Sequence, residues 1–422
     1  MLQATRTSTG VRSFRLLFYG LILASAAAQF ALIPVMPVYA HRLGLSGFQE
    51  GMVLAATGLA SLAVSLPAGT LADRFGARRI TLAAGLLMAA AMLGQAFAGS
   101  FGLLLAARLA FGVGYGVLWT AGLCWLVGAA GGPPALGGSI ASAGVGGVAG
   151  PAASGALTQH LGLAVPLLGA AMGFAVITAG LAVLRVPPVP AAPRSAAGAS
   201  LRAAARDHDV IGAAAAVIVA GLSTGVCALL VPAQLHAAGA SPGQIGLAFA
   251  AAGILFAAGS ALTAAVGRRA VNLAVICAGI LAVTASLGIG VLSTAPLAIV
   301  VMLCAATGAR SVLWTVSYPL AATAAGRGET GLGAAVGLLN GIWAATAVLG
   351  PLAAGLAAGH LSARMAFGLT ATACAAGLAV AVAMAWRTRN PAAPGAASRL
   401  GYGPGPDSAG RGLRLRSQVR GG

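Results

Sequence analysis

Long apolar runs recur twelve times along this 422-residue chain, and that recurrence constrains the fold more than any motif does. They lie at 14–40, 47–72, 79–99, 101–126, 135–159, 162–185, 209–235, 243–266, 271–292, 296–322, 332–359 and 363–386. At 1.5 Å per residue, each can cross a bilayer core of about 30 Å. Charged residues make up 7% of the chain, against roughly 25% in ordinary soluble domains. A soluble fold of this length cannot hide so much apolar surface. The expectation is an all-α membrane protein with twelve transmembrane helices.

The net charge of +18 comes from 24 arginines and no lysine. With the first run entering from the cytoplasm, 20 arginines fall in cytoplasmic segments, Arg42 and Arg364 outside, and Arg108 and Arg310 within the membrane. Such an asymmetry follows the positive-inside rule rather than a nucleic-acid footprint, so no nucleic acid is expected as a partner. Both termini are then cytoplasmic, in a multi-pass protein of the plasma (inner) membrane. Arg12 and Arg15 ahead of a Leu-rich run mimic a signal peptide, but the apolar run continues to Tyr39. That is too long for a signal peptide's core and reads as an uncleaved first span. Five cysteines, all in apolar runs and without Cys-x2-Cys spacing, suggest small buried hydrophobes, not a metal site or disulfide framework.

The expected organisation is a cytoplasmic segment at 1–13, a six-helix bundle at 14–185, a cytoplasmic linker at 186–208, a second six-helix bundle at 209–386 and a basic tail at 387–422. The linker is rich in Pro, Ala, Ser and Arg. The tail reads as a disordered segment able to touch anionic lipid heads. The two bundles repeat each other. Pro37, His41, Gly44, Ser46 and Gly51 recur 195 residues later as Pro232, His236, Gly239, Ser241 and Gly246. Val117-Leu118-Trp119-Thr120 recurs at the same offset as Val312-Leu313-Trp314-Thr315, and Gly150-Pro151 recurs 200 residues on as Gly350-Pro351. Matches in order at nearly constant offset indicate a duplicated six-helix unit.

Between the second and third runs stands the turn Gly69-x3-Asp73-Arg74-x-Gly76-x-Arg78-Arg79. This pattern resembles the loop signature of the major facilitator superfamily of secondary transporters. The resemblance implies two pseudo-symmetric six-helix bundles with substrate held between them near the midplane. It implies that Gly69, Asp73, Arg74, Gly76, Arg78 and Arg79 form a conformational latch between the halves. A turn that only fixed topology would need arginines but neither the aspartate nor the glycines. In the fifth run, Gly146-x3-Gly150-Pro151-x2-Ser154-Gly155 is similar to the signature of the superfamily's drug–proton antiporters, which ends Gly-Gly. Ser154 departs from it to another small residue. An ordinary Gly/Pro packing helix is the plain alternative.

A charge near the bilayer centre costs about 2.5–3.5 kcal/mol on insertion scales, so Arg108 and Arg310 need a cavity or a partner. Arg108, followed by Gly112, matches the superfamily's arginine on the fourth helix. The six acids (Glu50, Asp73, Asp207, Asp209, Glu329, Asp407) all lie at span ends, in loops or in the tail. No carboxylate is placed to neutralise Arg310 at depth, so it and Arg108 are candidates to bind an anionic or carbonyl-rich substrate. Gln29, Tyr115, Trp119, Thr224, Trp314 and Asn340 complete the candidate cavity, with Trp119 and Trp314 as stacking walls. Structural packing would explain those tryptophans equally well.

The first run carries Ser25 and Gln29 where cation exporters of the superfamily often carry an acid, which argues against cationic substrates. Glu50 is one candidate proton carrier, and the paired histidines at 41, 160, 236 and 360 are another. The function expected is proton-coupled efflux of a neutral or anionic hydrophobic small molecule, such as a drug or secondary metabolite. An uptake permease or exchanger for a small organic anion is the alternative, and a non-transporting membrane sensor is more remote. No Gly-x-Ser-x-Gly, His-Glu-x2-His or Walker loop occurs, so no enzyme, cofactor or metal is expected. The implied partners are the small-molecule substrate, protons and membrane lipids.

Overall fold

A computed structural model of the chain describes residues 2–129, 135–184, 202, 204–325 and 332–389. Within these, the side chains of 2–10, 66, 69, 73, 325, 332–334 and 389 lie outside the description. The described residues are helical, and 12 helices are long and apolar enough to cross a membrane. The first half contains α1 (Leu2–Leu43), α2 (Gly47–Phe75), α3 (Ala77–Ala96), α4 (Phe101–Ala129), α5 (Ala135–Leu161) and α6 (Ala164–Val183). The second contains α7 (His208–Ala237), α8 (Pro242–Val266), α9 (Leu273–Leu292), α10 (Pro296–Ala325), α11 (Leu332–His360) and α12 (Ala363–Arg389). Helices suit the apolar runs because a span in lipid must satisfy every backbone group within itself.

The duplication reaches down to the helix caps. Ser46 opens α2 with a capping box to Gln49, and Ser241 opens α8 with the same box to Gln244. Each box satisfies two otherwise orphaned backbone donors, so the two helices start at matching places. Gly76 separates α2 from α3 at φ 87°, a left-handed conformation that explains its place in the charged turn. Most of that turn is helical: Gly69 to Phe75 form the last two turns of α2.

Sequence boundaries and observed elements differ mainly at the ends. The helix of α1 begins at Leu2, so residues 2–13 of the expected N-terminal segment run into the first span without a break. Asp207 starts α7 by accepting from the amides of Asp209 and Val210 at 2.9 and 3.2 Å. Most of the 186–208 linker and the tail beyond Arg389 lie outside the described residues. One feature had no sequence signal: Leu118–Gly122 in α4 are wound as a π-helix, whereas α10 is regular through the matching 313–317.

An even number of crossings returns the chain to the end where it began. That end is called here the termini end, and the end bearing Gly44, Gly162 and Gly239 the distal end. At the distal end the halves meet along two seams, α2 on α11 and α5 on α8.

Candidate functional site

The seams are built from glycines facing main chain. A Cβ on Gly51 would lie 2.5 Å from the Pro351 carbonyl oxygen, and one on Gly47 would lie 3.1 Å from the Gly355 oxygen. In the other seam, a Cβ on Gly246 would overlap the Pro151 carbonyl oxygen, and one on Gly155 the Pro242 oxygen. The Ser241 hydroxyl donates across this second seam to Gln159 Oε1 at 2.9 Å. The close approach continues inward to Gly58, beside Ala347 and Val348, and to Gly253, beside Val148. Nearer the termini end it stops. A Cβ on Gly137, Gly144, Gly337 or Gly341 would meet nothing within 4 Å, and Ile140 on α5 and Leu262 on α8 are 68% and 70% exposed. The helices α4 and α10 do not pack together among the described residues. The halves are therefore closed at the distal end and splayed at the termini end.

The Gly-Pro motif of α5 serves two contacts. Gly146 and Gly150 meet the carbonyls of Leu23 and Ala27 on α1, and the Ser154 hydroxyl donates to the Ala31 carbonyl at 2.7 Å. Four-residue steps on both helices keep these three contacts in line. Pro151 and Gly155 face α8 instead. The motif thus joins α1 firmly within its own half and meets the other half along one seam.

Arg108 is 1% exposed on α4. Its Nη2 donates to the Gln29 backbone carbonyl at 2.8 Å and to Gln29 Oε1 at 3.2 Å. The guanidinium lies 5.2 Å from the Phe111 ring centroid, within cation–π range. Its Nε and Nη1, and the indole Nε1 of Trp119, are buried without a hydrogen-bond partner among the described residues. Arg108, Phe111, Tyr115 and Trp119 form one stripe on α4, with ring centroids 6.0 and 5.9 Å apart along it. Gly112 and Gly116 on the adjoining face pack against α2. Sequence reasoning placed Gln29 and Arg108 in one cavity without pairing them, and the structure brings them into direct contact.

Arg310 is 6% exposed on α10 and is surrounded differently. Its Nη2 donates to Thr307 of the same helix, and its Nη1 is buried without a partner. The Cys227 thiol on α7 and the Cys374 thiol on α12 lie within its electrostatic reach, so it sits among helices of the second half. The repeat explains the difference: Arg310 stands 195 residues after Tyr115, not after Arg108. Thr224, the counterpart of Gln29, donates its hydroxyl to the Ala220 carbonyl of its own helix at 2.7 Å. Trp314 stacks on Tyr318 at 5.6 Å and meets Trp343 edge-on at 4.7 Å. The Tyr318 hydroxyl donates to Oδ1 of Asn340 at 2.8 Å, and Asn340 is exposed on α11.

In the charged turn, Arg78 donates to the Ala182 and Leu184 carbonyls at 2.6 and 3.1 Å, capping the end of α6 in its own half. Arg74 lies over the Phe75 ring, and Arg79 is exposed. The Asp73 side chain and Gly69 lie outside the side-chain description.

A duplicated pair of six-helix bundles, closed at one end around buried polar groups, defines a multi-pass membrane protein of transporter architecture. The model of the Major Facilitator Superfamily matches residues 18–212, which cover the first half. The chain is 39% identical over 94 residues to the uncharacterized MFS-type transporter YuxJ of Bacillus subtilis (strain 168), a match covering 21% of this chain and 24% of that protein. Its fold is similar to a bacterial homolog to the human lysosomal transporter Spinster, inward-facing and occupied, at 15% identity and a TM-score of 0.71 over 90% of this chain and 97% of that one. It is also similar to the nucleoside transporter NupG, at 13% identity and a TM-score of 0.72 over 89% and 98% of the two chains. The first half of the chain thus matches the Major Facilitator Superfamily model, and the fold of the whole is similar to that of solved transporters.

Proposed function

We propose that this protein is a secondary active transporter that exports a neutral or anionic, fairly hydrophobic small molecule by proton-linked alternating access. The observation that carries the reading is the one-sided opening: sealed glycine seams at the distal end and parted halves at the termini end. With both termini in the cytoplasm, as the arginine distribution indicates, the splayed end faces inward and receives a cytoplasmic or membrane-dissolved compound. Reversal of the two ends would release it outside. The similarity to an inward-facing Spinster homolog supports this assignment of the open end.

The polar chemistry argues against a cationic substrate. Arg108 presents buried donors, and the described spans offer no carboxylate beside it. A buried cation with unused donors attracts an acceptor and repels a second cation. The same observation favours one alternative, uptake or exchange of a small organic anion. Asp73 and its neighbouring arginines act as the latch that holds the termini end shut in the opposite state; Arg78 is engaged within its own half here because that end is open.

Inside-out vesicles with an acid-inside gradient test the reading. Neutral, anionic and cationic compounds are added in turn while lumenal pH is followed by a quenching dye. Gradient loss that requires one compound and an intact Asp73 supports proton-coupled export. No loss with any compound, in well-folded protein, rejects antiport in favour of anion uptake or exchange.

A further inference from the structure

Glu50 and Ile245 occupy matching positions in the two halves, 195 residues apart, one apolar and one acidic. Ile245 on α8 is fully buried. The next residue in each helix is the glycine that closes a seam, Gly51 against Pro351 and Gly246 against Pro151. On α2, Glu50 falls between two packed faces. Gly47, Gly51 and Gly58 meet α11, while Thr57 and Ser61 meet α4 at Gly112. At about 100° per residue, the side chain is therefore directed from the first turn of α2 toward the interior where the halves join.

Glu50 is half-buried, and no hydrogen bond or ion pair reaches its carboxyl group among the described residues. The titratable and charged groups that neighbouring helices carry at this end are Tyr39, His41 and Arg42 on α1, His236 on α7 and His360 on α11. The histidines and Arg42 are exposed, and the Tyr39 hydroxyl is committed to the Gln95 carbonyl at 2.6 Å. The distal ends of α3 and α4 carry no charge.

We propose that Glu50 is a proton-sensing group at the distal seam: a proton taken up from the distal side favours closed seams and its loss to the same side favours their parting, so that Glu50 biases the cycle without itself carrying protons across. This rests on the alternating-access reading. An ionised carboxylate enclosed between helices without a partner is costly, whereas parted seams let water solvate it. Acid on the distal side therefore favours the closed distal end, and alkali favours the open one. One proton limits the change in the closed-to-open ratio to tenfold per pH unit.

The test needs no substrate. Spin labels at Leu161→Cys on α5 and Leu292→Cys on α9, 62% and 82% exposed, report the distance between the halves at the distal end. A Cys124→Ala background removes the exposed native thiol. In lipid nanodiscs the short-distance population should fall from mildly acid to mildly alkaline pH. Glu50→Gln should stay closed throughout, and Glu50→Asp should still titrate. Equal titration in Glu50→Gln, or none in the wild type, overturns the proposal. Transport failure with an intact titration counts against the export reading alone. A flat titration in protein that still transports counts against Glu50 alone.

Discussion

The seams allow a substitution whose cost falls on one conformation only. Gly246→Ala places a methyl group against the Pro151 carbonyl oxygen, with the Pro151 carbonyl carbon at 3.1 Å and Gly155 Cα at 3.3 Å. All three atoms are main chain, so no rotamer change relieves the overlap. Overpacking of this kind costs roughly 1–3 kcal/mol. Because α5 and α8 belong to different halves, the cost falls on the distal-closed state and disappears when the seam parts. The open-to-closed ratio should rise about 5- to 150-fold. Gly51→Ala should do the same in the other seam. Gly150→Ala is the control, since its Cβ overlaps the Ala27 carbonyl oxygen on α1, inside one half. It should lower the melting temperature without moving the equilibrium. The assay is the label distance between Leu161→Cys and Leu292→Cys, beside a thermal melt of each variant. Wild-type distances in Gly246→Ala, or an equal shift in Gly150→Ala, would refute the reasoning.

Removing the charged donors in Arg108→Gln should weaken binding of an anionic compound roughly tenfold to a hundredfold, measured by tryptophan fluorescence titration. Arg310→Gln should lower thermal stability while leaving that affinity unchanged; a selective loss of anion binding would instead assign Arg310 to the substrate. Ser154→Ala removes the buried bond to the Ala31 carbonyl and should cost about 1 kcal/mol of stability, read from a denaturation midpoint, with transport retained. Asp73→Asn should change the distal label distance between Leu161→Cys and Leu292→Cys, since the two ends alternate, and an unchanged distance would reject the latch.

Spans and duplication were legible because lipid imposes one demand on every crossing: an apolar surface with its backbone satisfied internally. The capping serines 46 and 241 and the glycine pairs kept their spacing through the duplication, so the repeat could be read from sequence. Side-chain partners were not legible in the same way. Periodicity indicates which residues share a helix face, but not which neighbouring helix that face meets. Arg108 and Gln29 are 79 residues apart, and only packing brings them within 2.8 Å. The π-turn at Leu118–Gly122 left no trace because Val-Leu-Trp-Thr occurs in both halves and only one copy is wound that way.

Where the two halves agree, they describe the scaffold; where they differ, they indicate work that one half does alone. Gly51 with Gly246 and Gly150 with Gly350 keep their small side chains because helices in both halves approach main chain to main chain there. No such need explains an acid at 50 opposite Ile245, or an arginine at 310 opposite Tyr115. Each introduces an ionisable group where the other copy shows that an uncharged residue fits. An ionisable group enclosed between helices without an ion-pair partner lowers stability, so retaining it points to a compensating role. The acid lies at the seam that must open and close, while Arg310 lies inside a bundle that packs as one body. That difference in place fits the proposed proton sensing at Glu50 and leaves Arg310 with internal support of the second half as its expected role, which the Arg310→Gln melt and binding titration check.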